Sequence, residues 1–149
     1  PDFLKALTLS PDQPQVLNYL GYSYLEMNQN LDEALSMIDR AAKAQPENGA
    51  ISDSLGWAYY RLGRYPEAEA EMERAVRLEP VDPVVTDHLG DVYWAVGRKR
   101  EAEFQWKRAL SFKPEEEEAN RIRRKLEVGL DAVLKEEGAE PLAVTTNGG

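Results

Sequence analysis

The feature that most narrows the fold of this chain is a repeat. Leu20-Gly21-x-x-Tyr24, Leu55-Gly56-x-x-Tyr59 and Leu89-Gly90-x-x-Tyr93 recur in order. Each string is followed by Ala34, Ala68 or Ala102, then by Ile38, Met72 or Trp106, then by Ala41, Ala75 or Ala109, and last by Pro46, Pro80 or Pro114. These later series advance by 34 residues throughout, whereas the glycines advance by 35 and then 34. A fixed period of this length means one supersecondary unit copied along an array, because a single copy cannot bury its own apolar face. The extra residue lies between Gly21 and Ala34, where Asn28-Gln29-Asn30 stands at the place that Gly63 and Gly97 hold in the later copies. A turn absorbs such an insertion at low cost.

Each copy reads as two amphipathic helices. In the second, Leu55, Ala58, Tyr59 and Leu62 repeat at helical spacing before Gly63, and Ala68, Met72, Ala75 and Val76 do so after it. Gly63 and Gly97 suit the left-handed residue that ends a helix, and Pro46, Pro80 and Pro114 stop the second helix of each pair. Gly21, Gly56 and Gly90 fall inside helices, where glycine costs about 0.8–1 kcal/mol relative to alanine. The alanines at 34, 68 and 102 suggest the compensation. Glycine on one helix and alanine on the next let two backbones approach closely, with Tyr24, Tyr59 or Tyr93 and a large apolar residue beside them.

This string of Leu-Gly-x-x-Tyr, Ala, large apolar, Ala and Pro at a 34-residue period resembles the tetratricopeptide repeat. The resemblance covers three units, 14–47, 49–82 and 83–114, and implies an all-α, right-handed superhelical solenoid of helix-turn-helix repeats. One departure is visible: the family's usual Trp, four residues before the glycine, is Leu17, Ser52 or Thr86 here. Residues 1–11 carry Ala6 and Pro11, 35 residues before Ala41 and Pro46, and read as the second helix of a truncated repeat. Its Phe3, Leu4 and Leu7 offer an apolar face through which two copies can form a homodimer. Residues 115–137 read as one capping helix. Glu115 to Glu118 complement the dipole at its start, and Ala119, Ile122, Leu126, Leu130 and Val133 form a stripe over the last repeat. Residues 138–149 are expected to form a flexible tail.

Composition excludes several functions. The 149 residues hold 18 basic and 27 acidic side chains, a formal net charge of -9, which repels nucleic acid and anionic membrane surfaces. With no cysteine and one histidine, no cysteine-ligated metal and no histidine-rich centre can form. No metal, cofactor or catalytic residue is expected. His88 between Asp87 and Asp91 can be drawn as a base, yet its repeat equivalents are Tyr19 and Ser54, so it reads as a structural helix position. No apolar run approaches the roughly 20 residues of a membrane helix, so no membrane insertion is expected of this segment. A start at Pro1, without initiator Met or secretory pattern, suggests a fragment or a processed product and leaves the compartment open.

The resemblance also places the site. In the family the first helix of each pair lines a concave face, and positions counted from the motif glycine select Asn18, Tyr22, Leu25 and Glu26; Asp53, Trp57, Tyr60 and Arg61; and Asp87, Asp91, Trp94 and Ala95. This set is aromatic and acidic, suited to large contact area plus acceptors for amides or basic side chains. Relatives that clamp an anionic chain terminus use Lys, Asn and Arg at these places; of Asn18, Tyr22, Asp53, Asp87 and Asp91 only Asn18 fits, so that clamp is expected to be absent. The implied function is a protein-protein interaction scaffold or adaptor that binds a peptide or protein segment in the groove. A substrate-selecting arm of a larger enzyme such as a glycosyltransferase, or a self-association module, are the alternatives. More narrowly, the strings around Gly21, Gly56 and Gly90 look like the C-terminal repeats of large proteobacterial proteins of this family. Some of those are lipoprotein adaptors of periplasmic proteases, which implies a periplasmic or outer-membrane-associated place. The basic cluster Arg121, Arg123, Arg124 and Lys125 reads as a solvated face, Arg121 and Lys125 pairing with Glu117, Glu118 and Glu127 of their own helix.

Overall fold

A computed structural model describes residues 13–143; the proposed truncated repeat and its Phe3, Leu4 and Leu7 lie outside the described residues. Eight helices follow one another among the described residues, with no strand between them. The first unit is α1 (Pro14–Glu26) and α2 (Leu31–Ala44), the second α3 (Gly49–Arg61) and α4 (Tyr65–Leu78), and the third α5 (Pro83–Ala95) and α6 (Lys99–Ser111). Each helix packs on its chain neighbours, and α1, α3 and α5 also touch one another in a row. Close inner helices and splayed outer ones bend the stack, so the inner row lines a concave face.

Local chemistry sets the boundaries. Asn48 caps α3 through its side chain to the Ile51 N–H at 3.1 Å, and Asp82 caps α5 to Val84 and Val85. Pro14 and Pro83 occupy first-turn positions where no N–H is needed. The second helices end at Ala44, Leu78 and Ser111, just ahead of Pro46, Pro80 and Pro114. Between helices of a pair, Gly63 and Gly97 adopt φ of 76° and 88°, while the first unit turns on Asn28 and Asn30 at 54° and 50°. Asparagine is among the few non-glycine residues that tolerate this region, and two of them accommodate the inserted residue.

A Cβ on Gly21 or Gly90 would meet the carbonyl oxygen of Ala34 or Ala102 at 3.1 or 3.2 Å, whereas one on Gly56 would meet Met72 first. Ala34, Ala68 and Ala102 are completely buried, as are Ile38, Met72 and Trp106 above the glycines. The third unit is tightest: a Cβ on Gly90 would lie 2.5 Å from the Trp106 ring and 3.2 Å from the Ala102 carbonyl oxygen. Neighbouring units are also tied by equivalent arginines, Arg74 donating to the Pro46 carbonyl and Arg108 to that of Pro80 at 3.1 Å.

The cap differs from the single helix read from the sequence. Residues 115–137 form α7 (Glu116–Val128) and α8 (Leu130–Glu136), which meet at Gly129. Gly129 has φ 88° and ψ 157°, a conformation essentially restricted to glycine, and a Cβ there would sit 2.9 Å from the Trp94 ring. Breaking the helix seats Trp94 in the corner and lets Leu130 and Val133 bury against the array from a new direction. The segment after α8 also has order: residues 138–143 run back along the concave face, where Leu142 packs on the main core cluster.

Candidate functional site

The concave face holds a cavity of about 740 Å³ whose walls come from α1, α3, α5, α7, α8 and residues 139–143. Of the expected groove residues, Tyr22, Glu26, Trp57, Tyr60, Arg61, Asp87 and Asp91 line it. Asn18 and Asp53 instead border, with Tyr22 and Glu26, a second depression of about 600 Å³ at the α1 end. Trp94 stands apart: its Nε1–H donates to Asp131 at 3.0 Å, its ring covers Gly129, and Lys99 lies over it at 4.7 Å. It holds the cap, because Gly129 leaves a hollow that only a flat ring fills. Leu25 is fully buried between helices, so it too contributes packing.

An aromatic shelf forms the middle of the groove. The Trp57 ring stacks on Tyr60 at 4.5 Å and on His88 at 3.9 Å between centroids, and Tyr60 tilts against Tyr65 at 5.8 Å. Helix α3 supplies both rings one turn apart, so they share one face, and His88 comes from α5, at the position that Ser54 holds in α3. The His88 Nδ1 meets an Asp53 carboxylate oxygen at 2.8 Å, both residues being buried. Burial favours neutral imidazole, but the charges of Asp53, Asp87 and Asp91 and the bond to Asp53 outweigh it, so the ring's pKa is raised. Tyr60 and Tyr22 are pushed up by burial first, Tyr22 then by Glu26 and Asp53.

The carboxylates expected to face a ligand are partly engaged within the protein. Lys125, with a fully buried side chain, donates to Asp87 and, at 2.7 Å, to Asp91. Asp91 also accepts the Trp106 Nε1–H at 3.0 Å. The reading of Lys125 as self-paired with glutamates of its own helix is therefore corrected: it sits beside Ile122 on the inner stripe of α7 and bridges to α5. Arg121 likewise turns to Glu137 of the α8 end, at 2.6 and 3.1 Å, and Arg124 to Glu136. The Lys125 signal was present in the sequence, since a cation on an apolar stripe requires a buried anion. Asp87 nonetheless has its pKa raised, by burial and by Asp91, with Lys125 opposing.

Around the cavity six carboxylates, those of Glu26, Asp87, Asp91, Glu118, Glu137 and Glu140, face two guanidinium groups, Arg61 and Arg121. Arg61 is held by the Asn28 side-chain oxygen at 2.8 Å. The site is thus a broad acidic trough with an aromatic floor. Among the described residues no group of three or more metal-ligating side chains comes together. No described helix is long and apolar enough to cross a membrane.

Paired helices stacked about a concave face define a helical-repeat solenoid, and comparison with known proteins agrees. The tetratricopeptide repeat family model matches residues 20–83. A TPR repeat-containing protein of Pseudomonas aeruginosa is 37% identical over 68 residues, 46% of this chain and 12% of that protein. The match thus spans about an eighth of that relative's length. Among solved structures, a thermophilic TPR protein of Thermus thermophilus is 24% identical with a TM-score of 0.70, over 86% of this chain and 69% of that one. The first TPR of Spaghetti (RPAP3), solved with an HSP90 peptide, is 24% identical with a TM-score of 0.64, over 77% and 94%. Over residues 20–83 the chain is similar to the tetratricopeptide repeat family, and the solved structures share its fold.

Proposed function

We propose that this chain is a protein-interaction scaffold whose concave groove holds a segment of a partner protein with apolar anchors and basic flanks. The observation that carries the reading is the Trp57, Tyr60 and His88 shelf set in an acidic rim. Stacked rings give rigid contact area with little entropy to lose, and the surrounding carboxylates favour cationic side chains. A related fold supports it, since the first TPR of Spaghetti (RPAP3) was solved with the HSP90 peptide SRMEEVD. That acidic peptide is the wrong sign for this groove, which has Asp87 and Asp91 where an anionic terminus needs cations.

Fluorescence anisotropy with short labelled peptides tests the reading. Peptides with a central Pro-Leu anchor and lysine flanks are expected to bind, weakening as salt rises, while glutamate-flanked versions and SRMEEVD bind at least about tenfold less tightly, a difference of about 1.4 kcal/mol. Trp57→Ala should remove most of the binding while the circular dichroism spectrum keeps its helical form. Equal binding of both charge types, or full binding by Trp57→Ala, would defeat the proposal.

A further inference from the structure

The groove is not empty of protein. Helix α8 ends at Glu136, and Gly138, at φ 69°, turns the chain with its N–H on the Lys135 carbonyl and the Ala139 N–H on that of Leu134. From there Glu140, Pro141, Leu142 and Ala143 border the cavity. Leu142 is half-buried against the cluster that contains Tyr60 and Tyr65, and the Ala143 N–H donates to the Tyr65 hydroxyl at 2.8 Å. The contact reaches the α3–α4 turn as well, since a Cβ on Gly63 would lie 3.1 Å from that of Ala143. The Arg121–Glu137 pair anchors the near end of this strap.

The geometry points to residues 138–143 as a resident occupant of the groove, an internal stand-in for the partner segment that the partner must displace. This rests on the groove reading above and gives it a chemistry: an irregular backbone segment whose Ala143 amide reaches the Tyr65 hydroxyl, with the half-buried aliphatic side chain of Leu142 packed on the cluster that includes Tyr60 and Tyr65. The strap fits the shape but not the charge. Its one ionised side chain, Glu140, joins a rim already carrying Glu26, Glu118 and Glu137, so like charges weaken its hold. A lysine-flanked segment meets the same pocket with the opposite sign and displaces the strap. A strap closed about nine-tenths of the time lowers apparent partner affinity about tenfold, because only the open fraction binds.

The chain contains no cysteine, which permits a clean staple. In the full chain, Gly63→Cys with Ala143→Cys places two thiols close enough to bond, and the strain of a side chain at Gly63 (φ 76°) is the same in both redox states. Anisotropy with the lysine-flanked Pro-Leu peptide should show binding at least about tenfold weaker for the oxidised than for the reduced form. Leu142→Asp in the otherwise unaltered chain should bind several-fold tighter than wild type. Equal affinity in the two redox states would overturn the inference. Hydrogen exchange at the Ala143 amide tests the strap with no ligand present: slowed exchange, restored to the free rate by Tyr65→Phe or Leu142→Asp, is expected, and an unprotected amide in the wild type overturns the inference whatever the peptide does. Absence of peptide binding to Leu142→Asp and to the reduced pair, with Ala143 protected in the wild type, would instead defeat the groove reading and with it the competition.

Discussion

Lys125→Met is the most demanding single test of how the cap is held. The substitution keeps the aliphatic stem that packs in the third unit and removes only the ammonium from between Asp87 and Asp91. Two carboxylates are then left buried with no cation between them, and breaking such a pair by deleting one partner costs about 3–5 kcal/mol. That is a large share of the roughly 5–15 kcal/mol that holds a domain of this size together. With a urea slope near 2 kcal/mol per molar, the midpoint should fall by about 1.5–2.5 M, followed through the three tryptophans, two of which lie at the cap. Adding Asp87→Asn and Asp91→Asn should recover at least half the loss, because an amide oxygen at 91 can still accept the Trp106 N–H. The effect must also depend on acid. Burial and Asp91 already raise the Asp87 pKa, and removing Lys125 raises it further. A carboxyl whose folded pKa exceeds the unfolded value stabilises the fold most below the unfolded pKa, near 3.9, and that stability is lost as pH rises through the folded one. The variant should therefore approach wild type near pH 4 and diverge toward pH 7. A loss under about 1 kcal/mol at pH 7, or one unchanged by acid, would refute the account.

Three further outcomes follow from the packing and the titrating groups. Gly90→Ala drives a methyl to 2.5 Å from an indole pinned by Asp91 and should cost about 2–3 kcal/mol in a urea melt, whereas Gly56→Ala comes no closer than 3.0 Å to Met72 and should cost less than half of that. His88 has a raised pKa, so the Asp53–His88 pair lends stability that is full below about pH 6.5 and is lost as pH rises through the higher folded value. Melting temperature should fall across neutral pH, and His88→Gln should flatten that slope. Gly129→Ala meets both a strained backbone and the Trp94 ring, and should release the Trp94 fluorescence into a solvent-exposed form before the rest of the array melts.

What the sequence made legible follows the range of the interaction. Helices and turns are set within a few residues by Gly63, Gly97, the prolines and the apolar spacing, and the all-helical architecture they imply is the one the structure has. The glycine and alanine positions lie 12 or 13 residues apart and recur three times, so their regularity exposed the close helix pairing. Groove chemistry was less legible because its partners are distant in sequence: His88 reaches back 35 residues to Asp53, and Lys125 reaches back 38 to Asp87. Counting positions on one helix finds the carboxylates but not the cations that occupy them. Position counting puts Trp94 in the groove for the same reason, since nothing in its own repeat shows that Gly129 opens a hollow beside it. The bend at Gly129 and the returning strap depend on how the last helix docks, and no periodic signal carries that.

These pairings give the groove a direction. Asp87 and Asp91 hold Lys125, so the carboxylates on α5 attach the cap and leave less field for a ligand at that end. Glu26 on α1 and Glu118 at the start of α7 border the cavity away from that lysine, and Asp53 shares its charge with His88. The strap covers the opposite wall, by Tyr65 and Leu134. A partner should consequently place its apolar anchor at the Tyr60–Tyr65 wall and its cations toward Glu26 and Glu118. Glu26→Gln with Glu118→Gln should then weaken a lysine-flanked peptide and flatten its salt dependence, leaving urea stability within about 0.5 kcal/mol of wild type, as expected for surface substitutions. Asp87→Asn, by contrast, should move stability far more than it moves binding, because its carboxylate belongs to the cap. If the two variants exchanged those effects, the division of the acidic residues between holding the cap and meeting a partner would be wrong.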